Sequence, residues 1–156
     1  MWDSHWWIVA LAAMTPLGEL RIAIPLGIGL YGLSPLLTFV LAVAGNAVPV
    51  ILLYFCLEPV TRWLRRLAHP IDRFFTWLFA HTYHRHSAKF DRYGSLALLL
   101  FVAIPLPLTG GWTGALLAYL FGIKWHYALP NLLIGVILAG IIVTFLTLGG
   151  VWIFGL

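Results

Sequence analysis

Four long apolar stretches dominate the hydrophobic pattern of the chain. Short segments separate the first from the second and the third from the fourth, and a long polar segment, 58–94, separates the second from the third. The four stretches are Trp6–Tyr31, Pro35–Leu57, Ser95–Phe121 and Asn131–Phe154. At a rise of about 1.5 Å per residue, each is long enough to cross about 30 Å of hydrocarbon as an α-helix. The simplest prediction from length alone is four transmembrane helices.

The first and third stretches do not read as continuous helices, because proline and glycine cluster at their centres. The interruptions run from Pro16 to Pro25 and from Pro105 to Gly111. Proline removes a backbone donor and clashes with the preceding turn, and the residue before it leaves the α region. We therefore predict that each of these stretches is a re-entrant hairpin of two half-helices. Such broken backbone survives at membrane depth only when it is buried in protein or lines a wet cavity.

The two interrupted stretches also resemble each other weakly, which predicts an internal repeat. Pro16 aligns with Pro105, and a glycine (Gly32 or Gly122) ends each hairpin before the next long apolar stretch. A hairpin returns to its own side and the following helix crosses, so the second repeat would be inverted relative to the first. The predicted fold is an all-α integral membrane protein forming a single domain, residues 1–156. It comprises repeat 1 (1–57), an amphipathic helical linker (58–93) and inverted repeat 2 (94–156).

Composition supports a membrane protein and argues against a soluble enzyme. The chain is 62% hydrophobic and 9% charged, whereas soluble domains carry about 25% charged residues. The sequence has no GxSxG, Walker-type, HExxH or paired-carboxylate pattern. We therefore predict no enzymatic activity, no cofactor and no ATP-driven step within this chain.

Basic residues concentrate in the linker and predict its topology. Seven of the nine lie there: Arg62, Arg65, Arg66, Arg73, Arg85, Lys89 and Arg92. By the positive-inside rule the linker is expected to be cytoplasmic, which places both termini outside in the hairpin arrangement. The linker is predicted to form two helical pieces divided near Pro70, lying in the headgroup plane against membrane lipids. This charge does not predict a nucleic-acid partner, and His81, His84 and His86 do not match a metal-ligand spacing.

Glu19 and Arg21 are the strongest candidates for function. They are the charged residues within the four apolar stretches, and a charge at mid-membrane costs about 2.5–3.5 kcal/mol. One interpretation is a structural one, in which they pair with each other or tie the first hairpin to the second. The other is direct contact with a translocated species or proton, with Glu19 as the titrating group.

The hairpin tips supply further candidates. The second half-helices are predicted to begin near Gly18 and Thr109, with Thr109 as an N-cap and Gly110 and Gly111 leaving backbone N–H groups accessible. Helix N-termini favour anions. Asn46, in the middle of the second stretch, is predicted to bond a hairpin tip or substrate, or simply a neighbouring helix. Trp112 and Thr113 follow the second tip and either wall the cavity or pack.

Three segments resemble a known family. GELRIAIPLGIGLYGLSP, AGNAVPV and FVAIPLPLTGGWTGALLAYLFGI are similar to segments of bacterial and archaeal proteins labelled small multidrug export proteins, which in turn resemble the DedA membrane proteins. The resemblance implies a location in the cell (inner) membrane and two facing re-entrant hairpins. Glu19 occupies a place that resembles the acidic residue of the first DedA hairpin. DedA proteins also carry arginines around the second hairpin, whereas here the arginine at that depth is Arg21, on the first.

The resemblance implies a transporter or lipid translocase for a small or lipid-linked, anionic headgroup, with protons as the coupling ion. Polyprenyl phosphate is the lipid-linked substrate that DedA proteins suggest. Two alternatives stay open: a proton-coupled exporter of cationic amphiphilic drugs, and a membrane assembly factor that transports nothing. Expected partners are membrane lipids and protons, and the sequence leaves a homo-oligomer open.

Overall fold

The computed structural model describes residues 5–16, 18–67, 73, 76–77, 88–105 and 109–154, and within this part it is helical, without strands. The helices are α1 (Trp6–Met14), α2 (Glu19–Pro25, continued by a π-helical turn, Leu26–Leu30), α3 (Pro35–Leu67), α4 (Ala88–Ala103), α5 (Gly111–Leu120) and α6 (Trp125–Phe154). Predictions that concern His81, His84, His86 and most of the linker lie outside the described residues.

The chain breaks predicted in the first and third apolar stretches are present. Between α1 and α2 the helix is interrupted from Thr15 to Gly18, and between α4 and α5 from Ile104 to Gly110. At about 1.5 Å per residue, α1 is about 14 Å long and α5 about 15 Å, both well below the hydrocarbon thickness. Four unbroken spans are therefore excluded.

Two helices are long and apolar enough to cross a membrane. The qualifying segments are Pro35–Trp63 in α3 and Trp125–Gly150 in α6. Large apolar side chains face outward along both, with Leu36 74% and Phe145 71% exposed. Polar residues such as Asn46 and Thr38 are fully buried instead. An apolar exterior around a partly polar interior is what a lipid solvent selects.

The same order of elements occurs twice: a helix, a break, a short helix, a glycine turn and a long helix. Both turns contain a glycine with positive φ, Gly32 at 60° and Gly122 at 63°. In each turn the next residue donates back to the preceding helix, Leu33 to Gly27 and Ile123 to Ala118. The second turn is a Schellman motif, and the first is one residue wider because it follows the π-helical turn.

The two halves interlock through their short helices. α1 packs on α3 and α4 packs on α6, each within its own half, whereas α2 packs on α6 and α5 packs on α3. Glycines allow the close approaches within each half. A Cβ on Gly45 would lie 2.5 Å from the Ala10 carbonyl oxygen, and one on Gly135 would lie 3.0 Å from that of Leu99.

Three helix boundaries differ from the sequence prediction. α4 begins at Ala88, inside the predicted linker, and α6 begins at Trp125, ahead of the predicted Asn131. α3 does not end at Leu57 but continues through Pro59 to Leu67, so the first part of the predicted linker is an extension of the long helix. Proline inside a helix removes one backbone hydrogen bond. Here Glu58 pairs with Arg62 one turn later, and Thr61 donates to the Leu57 carbonyl at 2.8 Å. The ion pair and the hydrogen bond both lie within the segment that continues the helix beyond Leu57.

We expect Gly45→Ala to lower the free energy of unfolding by about 1–3 kcal/mol, because the added methyl group meets the backbone of α1. Gly149→Ala is the matched control. Gly149 also lies in a long helix, but a Cβ there meets nothing within 4 Å, so this change should raise helix stability by up to about 1 kcal/mol. Thermal unfolding of the purified protein in detergent measures both. Equal behaviour of the two variants would contradict the close packing of α1 on α3.

Candidate functional site

The two chain breaks meet, and the charged residues of the first break bind the backbone of the second. Arg21, in the first turn of α2, donates from its guanidinium to the Thr109 carbonyl oxygen. Glu19 accepts a hydrogen bond at Oε1 from the Trp112 backbone N–H at 3.3 Å. The Trp112 indole Nε1–H donates to the Met14 carbonyl oxygen at 3.2 Å. Three contacts thus join segments about ninety residues apart in sequence.

Glu19 caps α5 from the opposite half of the molecule. Trp112 is the second residue of α5, and an N-cap side chain normally accepts from the second or third N–H of a helix. The residue at the cap position itself is Gly110, whose backbone is extended and which has no side chain to serve as a cap. The Glu19 carboxylate therefore takes the place of the missing cap and complements the positive end of the helix dipole.

The prediction that Thr109 is the N-cap of α5 is wrong. Its hydroxyl donates to the Ile104 carbonyl oxygen at 2.7 Å, across the break, rather than serving as a cap of α5. The helix begins two residues later than Thr109, at Gly111. The physical reason is the approach of Glu19: a Cβ on Gly110 would overlap its carboxylate, so a larger residue here would displace Glu19 from the start of α5.

Glu19 is also the one non-glycine residue with positive φ in the described part of the chain, at 42°. Left-handed backbone costs an ordinary residue about 1–2 kcal/mol. Such strain persists only where the surroundings over-determine it, and it clusters at functional sites. At Glu19 this conformation accompanies the placement of the carboxylate at the start of α5.

Glu19 and Arg21 are described residues and form no ion pair with each other within 4.0 Å. Each is instead bound to the opposite break, which leaves the two charges adjacent but separately held. The structural interpretation of a mutual pair is therefore wrong, whereas that of a tie between hairpins matches the contacts.

A cavity of about 10 Å³ lies where the breaks meet. That is about the space for one water molecule. Six of the eight predicted site residues line it: Glu19, Arg21, Asn46, Thr109, Gly110 and Gly111. Trp112 and Thr113 are not among the lining residues, and Trp112 instead ties α5 to Met14. Apolar side chains from α4 and α6, including Val102 and Val136, complete the wall and were not predicted, because an apolar residue in a membrane helix carries no distinguishing signal.

Asn46 is the most unusual member of this cavity. It is 0% exposed, and neither its amide nitrogen nor its carbonyl oxygen has a hydrogen-bond partner. A Cβ on Gly111 would lie 2.5 Å from the Asn46 carbonyl oxygen, so this side chain fits against the start of α5 only because Gly111 has none. A buried polar group without a partner costs about 1–3 kcal/mol. An amide retained at that cost is available to a water molecule or a cargo.

Asn46→Leu distinguishes a structural role from a functional one. The change keeps a side chain branched at Cγ and loses no protein hydrogen bond, so the free energy of unfolding should stay unchanged or rise by about 1–3 kcal/mol. Transport in liposomes should nevertheless fall about tenfold if the amide serves a cargo or a water. Asn46→Ala, which adds no bulk, separates this loss from overpacking. Unimpaired transport in both variants would assign Asn46 no functional role.

Comparison with known proteins identifies the family. A family model described as "Putative small multi-drug export protein" matches residues 19–142, from the charged break to the middle of the last helix. No curated protein and no solved structure matches the chain. The match covers most of the chain and includes every residue that lines the cavity except Val143. Together with the two long apolar helices, it establishes a membrane protein whose family is named for export rather than for a reaction. The chain belongs to this small multi-drug export protein family.

Proposed function

We propose that this protein is a secondary transporter or lipid translocase that moves a small or lipid-linked anionic headgroup between its two chain breaks, with protons as the coupling ion. The observation that carries this proposal is the Glu19 carboxylate at the start of α5. It indicates that this helix end accepts an anionic oxygen. The headgroup of an anionic cargo also presents a negatively charged oxygen, so Glu19 and the cargo would compete for the N-terminus of α5.

More hydrogen-bond donors lie at or beside the cavity than the single N–H group from which Glu19 accepts. Arg21 supplies a permanent positive charge, Asn46 an unpartnered amide, and Trp112 a backbone N–H. Protonation of Glu19 would remove its negative charge and weaken its contact with Trp112. The vacated N–H, the amide and the guanidinium then suit a phosphate or carboxylate oxygen. Release of the proton on the other side would return Glu19 to α5 and expel the cargo.

The membrane arrangement is part of the same proposal. The two broken segments would be re-entrant hairpins in two inverted repeats, with α3 and α6 as the crossing helices. The repeated element order, the matching turns at Gly32 and Gly122, and the exchange of α2 and α5 between halves support it. The basic linker would then be cytoplasmic and both termini outside, in the cell membrane of a bacterium or archaeon.

Two observations keep other functions in view. The family description names drug export. Glu19 is the one carboxylate among the described residues that line the cavity, so it could serve as counter-charge to a cationic amphiphile.

The cavity has room for about one water molecule, and hydrogen bonds join the two breaks. This closed state suits an assembly factor that transports nothing, whereas a transporter must separate the breaks during its cycle.

The deciding experiment is reconstitution of the purified protein in liposomes. Movement of labelled polyprenyl phosphate, phosphatidylglycerol and a cationic amphiphilic dye is followed with and without a pH gradient. We expect gradient-dependent movement of an anionic species. Movement of the dye alone would favour the exporter, and movement of none of the three would favour the assembly factor.

A further inference from the structure

A second cavity lies far from the chain breaks, where the later part of α3 meets the junction of α5 and α6. Its volume is about 660 Å³, within the range of about 300–1,000 Å³ typical of small-molecule sites. Glu58 lies twelve residues beyond Asn46 on α3, about 18 Å along the helix. The two cavities share no lining residue.

The framework of this second cavity is fixed by hydrogen bonds between helices. The Tyr54 hydroxyl donates to the Ile123 carbonyl oxygen at 2.5 Å, just after the positive-φ turn at Gly122. The Thr61 and Tyr119 hydroxyls bond each other, and Thr61 is only 6% exposed. These hydrogen bonds tie α3 to α5 and to the turn between α5 and α6. They therefore fix the positions of the helices that carry the side chains at the rim.

The rim is positively charged and aromatic. Arg62 and Lys124 supply two cationic side chains, Glu58 one anionic side chain paired with Arg62, and His126 further N–H donor capacity. α6 begins at Trp125 beside the cavity and adds the positive end of its dipole. Trp125 is 59% exposed at the rim, and Trp63 nearby on α3 is 63% exposed. Exposed tryptophans beside basic residues mark the headgroup level of a membrane protein.

We propose that this cavity binds the phosphate of an anionic phospholipid headgroup, with Arg62 and Lys124 as its charged ligands. Cations give charge-assisted hydrogen bonds to phosphate oxygens, and the tryptophans place them at the depth where headgroups lie. The hydrogen bonds between the helices make this a defined site, in addition to the general attraction of basic residues to the membrane surface. The proposal does not depend on transport between the chain breaks and holds whether or not the protein moves a cargo.

Native mass spectrometry of the full-length protein, titrated with phosphatidylglycerol or phosphatidylcholine, tests this site. We expect Arg62→Gln and Lys124→Gln each to weaken phosphatidylglycerol binding about tenfold, as expected for loss of a charge-assisted hydrogen bond. Arg66→Gln is the control, because Arg66 lies one turn further along α3 and does not line the cavity. It should weaken binding at most about threefold.

Two outcomes would overturn the proposal. An equal loss in all three variants would reduce the effect to diffuse surface charge. Equal binding of phosphatidylglycerol and of phosphatidylcholine, whose phosphate is balanced by a cationic choline, would contradict a site for an anionic headgroup. Addition of inorganic phosphate identifies the source of the ligand. Displacement of lipid by millimolar phosphate would support a phosphate site that also takes the free anion, and persistence of the lipid would support a site for the lipid headgroup.

Discussion

Glu19→Gln is expected to abolish the response of transport to a pH gradient and to lower gradient-driven accumulation of cargo about tenfold for each unit of pH difference, because one coupled proton contributes about 1.4 kcal/mol per pH unit. The Arg21 and Trp112 indole contacts still join the breaks. The glutamine side chain imitates the protonated carboxyl and can accept only a weaker, neutral hydrogen bond from the Trp112 N–H. It cannot take up or release a proton. The variant should therefore fold as the unchanged protein does and fail specifically in coupling.

Glu58→Gln is the matched control for this experiment. Glu58 lies on the exposed part of α3 and pairs with Arg62, away from the chain breaks. An exposed pair contributes at most about 1 kcal/mol to stability, and its loss should leave coupling intact. Flux is measured in liposomes over a series of imposed pH gradients. A Glu19→Gln protein with full activity and an unchanged pH profile would contradict proton coupling through this residue.

The chain breaks could be predicted from sequence because their cause is local. Proline removes a donor wherever it stands, and Pro16 and Pro105 lie at the interruptions, although Pro25, Pro49 and Pro130 stand inside helices. The end of α3 was misplaced because the apolar stretch stops at Leu57, whereas the helix continues to Leu67. Pro59 does not end that helix, because the cost of one missing hydrogen bond is small beside the tertiary packing of a 33-residue helix.

The contacts of the site could not be predicted, because they join segments far apart in the chain. A threonine before two glycines is a good local N-cap signal, yet the cap of α5 comes from Glu19, ninety-three residues away. A backbone partner such as the Met14 carbonyl is present in every residue type, so the sequence does not reveal it. Glu19, Arg21 and Asn46 could be identified because polar groups are rare and costly in this environment. The partners of Glu19 and Arg21 follow from the interlocked helices.

The interlocking of the halves also bears on how a cargo would pass. Since α2 packs on α6 and α5 packs on α3, the breaks cannot separate unless the two halves move relative to each other. The ties to be broken are few and polar: Arg21 to Thr109, Trp112 to Glu19, and Trp112 to Met14. Exchange of protein partners for cargo groups at these same atoms would make the change nearly balanced in energy, as a reversible carrier requires.

Arg21→Gln separates the anion transporter from the cation exporter. The change removes a permanent charge beside the cavity, and the shorter glutamine side chain also loses the contact with the Thr109 carbonyl oxygen. For an anionic cargo the lost charge-assisted hydrogen bond should weaken binding about 10- to 100-fold. For a cationic cargo the loss of a like charge should leave binding unchanged or tighten it.

A liposome assay in which phosphatidylglycerol and a cationic dye compete as cargoes distinguishes the anion transporter from the cation exporter. Arg66→Gln is the matched control, because it removes a surface arginine. Arg21→Lys adds a further comparison, because lysine keeps the charge but loses the planar fork that suits phosphate. Recovery of anion movement by lysine, but not by glutamine, would mean that charge rather than geometry is needed at this position. Anion movement that survives in Arg21→Gln at the unaltered rate would contradict a role for Arg21 in binding the anion.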